Sequence, residues 1–252
     1  IDGSGTKTSQ GVLNIDGDFI KSGMSSTFND GGEDMFIAGN YTYNAGTFTD
    51  DGSTITFDGT GNVNTAALNL QSTGGVLEIN KTSGGSVSAQ GDLTLGELTV
   101  TAGTLNIGTA TAQTSLTADI NGTLQIGAGN FDANGTFDAT GGTIDFTANG
   151  SLKLASTVTS LGTLDDAAGT VLYDQAGAQN VLSDTYYNLS VDGSNWMQYH
   201  TATGNVTVNN DLTLADNGSS YNPWNNGTPI TGLVVNAATA PGSAAAKPAI
   251  VI

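Results

Sequence analysis

Across 252 residues this chain carries 23 acidic side chains against 5 basic ones, a formal net charge of −18. The acids are almost all aspartate, since glutamate occurs only at Glu33, Glu78 and Glu97, and arginine is absent. Such a chain repels a phosphate backbone and has no bidentate phosphate clamp, which excludes nucleic-acid partners. No apolar run reaches the ~18 residues of a membrane-spanning helix, so no membrane insertion is expected.

With 36 glycines and abundant Thr, Ser and Asn, the composition disfavours helices and points to an all-β chain. Cysteine is absent, so no disulfide framework exists and the redox compartment cannot be read from it. The chain opens on Ile1 rather than Met, as expected of a mature chain whose leader has been removed.

In chain order, residues 1–11 read as a polar, irregular N-terminal segment. A strand, a corner and another strand follow in Val12-Leu13-Asn14-Ile15-Asp16-Gly17-Asp18-Phe19, and the acidic stretch Ser25–Asp34 reads as a loop that interrupts them. Alternation resumes at Tyr41-Thr-Tyr43, Thr47-Phe-Thr49 and Ile55-Thr-Phe57, and continues through Leu77-Glu-Ile79, Leu93-Thr-Leu95 and Leu98-Thr-Val100. The most regular run is 102–154. There a glycine, a small polar residue and an apolar-x-apolar triplet recur as Gly103-Thr-Leu-Asn-Ile107, Gly122-Thr-Leu-Gln-Ile126, Gly142-Thr-Ile-Asp-Phe146 and Gly150-Ser-Leu-Lys-Leu154. Alternation places Leu105 and Ile107 on one face of a strand and Thr104 and Asn106 on the other, while the glycine suits a tight corner.

Turns recur about 7 and about 19–22 residues apart, which predicts three short strands per coil of roughly 20 residues, the grammar of a parallel β-helix-like β-solenoid. A tandem β-sandwich is the alternative fold. One longer repeat relates Thr54-Ile-Thr-Phe-Asp58 to Thr170-Val-Leu-Tyr-Asp174, 116 residues on. The repeat region is expected to run over 12–214. All four prolines lie beyond it, at Pro223, Pro229, Pro241 and Pro248, so residues 215–252 read as a capping region, a linker and a terminal strand.

The segments GNYTYNAGTFTDDGSTITFDGTG (39–61) and GTVLYDQAGAQNVLSDTYYNLSVDG (169–193) resemble repeats of secreted bacterial surface proteins, adhesin-like or autotransporter-passenger-like chains. That resemblance spans 12–214. It implies an extracellular, non-enzymatic role at the cell surface on a β-solenoid, and it brings no catalytic residues.

The residues themselves supply little for catalysis. A polysaccharide lyase on this kind of fold needs basic groups around an acidic sugar, and this chain has no Arg and one His, His200. An inverting glycosidase needs only paired carboxylates, yet Asp50-Asp51 and Asp165-Asp166 sit in turn-like contexts. The chain is therefore read as not an enzyme, with a polysaccharide-active β-helix as the enzymatic alternative.

Five carboxylates, Asp16, Asp18, Asp30, Glu33 and Asp34, occupy two neighbouring loops and form a candidate calcium site, although without the spacing of an EF-hand loop. No other cofactor is indicated. Asn-x-Ser/Thr occurs at Asn40, Asn80, Asn121, Asn134, Asn149, Asn188, Asn205, Asn217 and Asn226, which are candidate glycosylation positions. Tyr186, Tyr187, Trp196, Tyr199, Tyr221 and Trp224 gather in the last third, either as a cap over the final coils or as a glycan platform. Thr-x-Thr pairs such as Thr54/Thr56 and Thr99/Thr101 read as solvent-facing strand positions.

A solenoid exposes unpaired backbone groups at both ends. The apolar strand Pro248-Ala249-Ile250-Val251-Ile252, on the tether Ala237–Lys247, is the candidate assembly element, adding to a sheet edge of a neighbouring copy. The expectation is an extracellular structural protein, a self-assembling filament or surface-layer subunit. A monomeric adhesin domain of a larger cell-surface protein, displaying a binding face, is the alternative.

Overall fold

The computed structural model describes residues 1–71, 74–193, 200–216 and 233–235, and every strand pairing in it is parallel. The described residues contain thirty strands and no helix. Successive strands turn through three faces and return, so that each coil lies in register on the one before and about ten coils stack into a β-solenoid.

The first face starts with Gly5–Thr8, Ser26–Asn29 and Thr47–Thr49, and later carries Asn130–Ala133, Ser151–Leu154, Thr170–Tyr173, Asn188–Gly193 and Leu212–Asp216. The second face starts with Leu13–Ile15, Met35–Ile37, Thr54–Phe57 and Val76–Asn80. Two ten-residue strands, Leu93–Ala102 and Thr111–Ile120, run across both faces and join them into one 14-stranded sheet. Their pairing breaks register between Leu95 and Glu97, where the chain turns from one face to the other. The third face is an eight-stranded sheet from Phe19–Lys21 to Thr163–Leu164. In the last coils the second and third positions belong to short sheets, Gln179–Val181 with His200–Ala202, and Thr185–Tyr186 with Val206–Val208 and Leu233–Val235.

Alternation drives the stacking. Strand after strand in 102–154 buries every second residue, and Leu105, Leu124 and Ile144 stand directly above one another with no exposed surface. A parallel sheet wrapped around its own core therefore needs apolar-x-apolar in each strand and little else. Coil length is set at the corners. Thr170 lies beside Asn188 and Leu68 beside Leu93, spans of 18 and 25 residues that bracket the first ten coils.

Glycine is obligatory where corners stack closely. A Cβ at Gly135 would overlap the Leu116 carbonyl, and at Gly169, whose φ is +73°, it would enter the Phe146 ring.

The β-solenoid expected from the turn spacing is the fold observed. Four of its details differ from the sequence reading. The N-terminal segment 1–11 contains Gly5–Thr8, which pairs along its length with Ser26–Asn29, so the coil begins before Val12. That same partner lies inside the acidic stretch read as a loop: Ser26 and Phe28 are buried, and the chain turns before Ser26 and after Asn29. The 116-residue repeat has no structural counterpart, because Thr54–Phe57 lies on the second face and Thr170–Tyr173 on the first. Aromatics also cluster in the first coils. Phe19 stacks on Tyr41 with centroids 5.3 Å apart, and Phe28 and Phe48 complete the group. Leu233–Val235 forms a strand, and most of 215–252 lies outside the described residues.

Candidate functional site

The aspartates have a shared role that explains why they outnumber glutamate. At several strand entrances a short side-chain oxygen accepts a backbone N–H at or beside the start of the strand one coil on. Asp18 Oδ1 accepts from Asn40 N (2.8 Å), Asp34 Oδ1 from Thr54 N (3.0 Å) and Asp92 Oδ1 from Thr111 N (2.9 Å). Asn40, Asn62 and Asn188 do the same for Asn64, Ser86 and Asp211. The coil-to-coil spacing of ~4.8 Å suits the reach of Asp and Asn, whereas a longer acid would have to fold back. A second set closes its own turn two residues on, as in Asp138 with Thr140 N and Asp165 with Ala167 N.

The five carboxylates of the candidate calcium site divide along these lines. Asp30 is fully buried: its Oδ1 accepts from Gly32 N and Asp51 N, and its Oδ2 from Ser53 Oγ at 2.7 Å. Asp18 and Asp34 serve the next coil, and the Asn40 side-chain amide adds a second donor to Asp18 Oδ1. Asp16 is exposed. Among the described residues, no three His, Asp or Glu side chains come together to hold a metal ion. In these loops Asp18, Asp30 and Asp34 each receive backbone N–H groups.

Two buried lysines meet opposite conditions. Lys21 Nζ donates to Gly23 O (3.0 Å), Ser26 Oγ (2.7 Å) and Ala45 O (2.9 Å), so its three protons are all engaged. Lys81 Nζ has no hydrogen-bond partner, and burial lowers its pKa from the ordinary value while Asp58 acts in the opposite direction.

His200, the sole histidine, is 8% exposed with Nε2 unpartnered, and burial lowers its pKa against a smaller pull from Asp192. Burial raises the Asp174 carboxyl, and Asp132 adds to it. The tyrosine pair Tyr173 and Tyr186 is enclosed, hydroxyl to hydroxyl at 3.0 Å, with Leu182 N donating to one and Leu182 O accepting from the other. Burial pushes Tyr173 up to about 12 and Tyr186 up further. Of the aromatic group in the last third, Tyr186 packs into the core and Tyr187 is half-buried. Trp196, Tyr199, Tyr221 and Trp224 lie outside the described residues.

The candidate glycosylation asparagines also separate. Asn40 and Asn188 spend their amides between coils, and Asn121 Nδ2 donates to Asp119. Asn80 is half-buried, and Asn134, Asn149 and Asn205 are exposed in corners. Asn217, Asn226 and the assembly strand Pro248–Ile252 lie outside the described residues.

One pattern was not read from the sequence. Ser86, Thr104, Thr123, Thr143 and Thr163 form an in-register hydroxyl column on the third face, visible only once the coils are aligned. The second face bears carboxylates instead, Glu78, Glu97, Asp119 and Asp138, with Glu78 bridging Thr56 and Thr101 at 3.0 Å each. No helix among the described residues is long and apolar enough to cross a membrane. No protein-family model matches the chain, and no curated protein or solved structure does.

Proposed function

We propose that this chain is an extracellular structural protein, a β-solenoid subunit that assembles head-to-tail into a filament or surface layer through addition of the strand Pro248–Ile252 to a neighbouring copy. The observation that carries this reading is the parallel ladder itself. Two of its first strands, Gly5–Thr8 and Leu13–Ile15, are paired on one side only among the described residues, while Ile1 already caps the outer side of Phe19–Lys21 at Ile20 O and Ser22 N. Such edges bind further strands unless they are blocked. The resemblance of 39–61 and 169–193 to secreted surface repeats supports the location and the non-enzymatic role. A net charge of −18 keeps assembled rods apart laterally and disfavours nucleic acid.

The test is a chain shortened before Ala245. It should keep its β-sheet circular dichroism and lose polymer by negative-stain microscopy; normal polymer would overturn the reading. A divalent cation such as calcium could bridge acidic rods, in which case EDTA disperses bundles, and unchanged bundles remove that role.

The uncharged hydroxyl column on the third face favours one second reading, a monomeric adhesin that displays this face to glycans. A monodisperse chain that is retained on a glycan panel would support it over the filament.

A further inference from the structure

We infer that the acceptor for the assembly strand is the open edge of Leu13–Ile15, and that its occupant is Ile250-Val251-Ile252 of a second copy, lying parallel to it. This rests on the assembly reading above and adds to it the place of docking. Leu13 and Ile15 occupy the same positions as Met35 and Ile37 one coil on, to which they are paired. Met35 and Ile37 have no exposed surface, whereas Leu13 and Ile15 are only half-buried. The missing cover is one more strand. Five of the six large apolar side chains exposed among the described residues, Ile1, Val12, Ile20, Met24 and Tyr43, also lie in the first two coils.

The column built on this edge has one chemistry. Leu13-x-Ile15, Met35-x-Ile37, Ile55-x-Phe57 and Leu77-x-Ile79 stack as apolar-x-apolar, in register from coil to coil. Ile250-x-Ile252 carries the same spacing into a coil below. The backbone is ready for it. Leu13 N donates to Asp34 O and Ala38 N donates to Ile15 O, so Leu13 and Ile15 point their backbone groups toward the second coil. In a parallel strand the residue between them, exposed Asn14, turns its N–H and C=O to the open side.

The occupant cannot come comfortably from the same molecule. Fifteen residue steps separate Val235 from Ile250, a reach of ~50 Å at full extension. The place below Leu13–Ile15 lies eleven strand spacings from Leu233–Val235, or ~53 Å. No slack remains for the strand to lie along its own first coil, while the first coil of a copy stacked on the last coil is within easy reach.

The experiment compares residues 1–252 with Asn14→Pro by sedimentation over a wide concentration range and by negative stain. Proline there removes the open-side N–H and no intramolecular hydrogen bond, so thermal melting should be unchanged. The parent chain should associate end to end, and Asn14→Pro should weaken that association by about tenfold or more. If the parent associates and Asn14→Pro does so equally, the acceptor is elsewhere and the assembly reading stands. If the parent stays monomeric throughout, both fail. A variant with Ile250→Lys and Ile252→Lys should match Asn14→Pro; normal association by it would remove the named occupant.

Discussion

Lys81 offers a perturbation whose sign is opposite to most core substitutions. It follows the strand Val76–Asn80, its side chain is fully buried, and its Nζ has no hydrogen-bond partner. An unmet buried donor costs ~1–3 kcal/mol, and more when it is charged. Methionine keeps the length of the stem and removes the donor. Lys81→Met should therefore stabilise the chain by about 1–3 kcal/mol, with Tm rising ~2–4 °C for each kcal/mol in a chain of this size. The pH dependence follows from the direction of the shift. Burial holds the folded pKa below the unfolded one, so between the two the unfolded chain binds more protons. Stability should rise with pH across that window, up to the ordinary lysine range near ~10.4, and the variant should lack this contribution. Thermal and urea unfolding at several pH values read both effects. A variant that is less stable than the parent, or one with the same pH slope, would refute the reasoning.

The other substitutions destabilise. Lys21→Met takes the lysine donor from Ala45 O and Ser26 Oγ, while Gly23 O keeps Ser26 N and Oγ, and should cost about 2–3 kcal/mol by urea unfolding, in contrast to Lys81. Asp30→Ala strands the Gly32 and Asp51 backbone N–H groups and leaves the Ser53 hydroxyl only its longer bond to Asp50 Oδ1, a loss of about 2–4 kcal/mol; an Asp30→Asn variant, which keeps an acceptor oxygen, should recover part of it. Gly169→Ala combines a positive φ with overlap against Phe146 and should lower stability by about 3 kcal/mol in the same assay; a neutral result would mean that the corner is looser than it stands here. Tyr186→Phe breaks the hydroxyl pair and leaves Leu182 O unpartnered, for a loss of ~1–2 kcal/mol and an altered tyrosine titration above pH ~10.

The fold was legible where the chain repeats a short apolar-x-apolar phrase. Leu105/Ile107 and Leu124/Ile126 announce both their burial and, through the intervening turns, the coil length. What alternation cannot supply is phase, meaning which of three faces a strand joins. That is why Thr54–Phe57 and Thr170–Tyr173 look like one repeat and sit on different faces. Polar strands were hidden as well. Gly5–Thr8, Gly-Thr-Lys-Thr, has no apolar side chain to bury and so shows no pattern. Ser26–Asn29 mixes Ser and Thr with a single Phe, and its burial comes from Lys21 and the aromatic group, which belong to other strands.

The aspartates were legible as turn formers, but their reach to the next coil depends on the stacking distance and not on local sequence. The same holds for the hydroxyl column, whose members lie 18 to 20 residues apart. Side chains that act across coils can be interpreted only after the coil length of each turn is known, and that length varies.

Assembly is the claim on which the proposed role depends, and electron microscopy of the purified chain tests it most directly. Eleven stacked strands, from Phe19–Lys21 to Leu233–Val235, at ~4.8 Å each make a rod of about 53 Å, so head-to-tail filaments with one added strand at each joint should show an axial subunit repeat near ~58 Å together with a ~4.8 Å meridional spacing. Isolated rods of that length at every concentration, with no longer species, would contradict it.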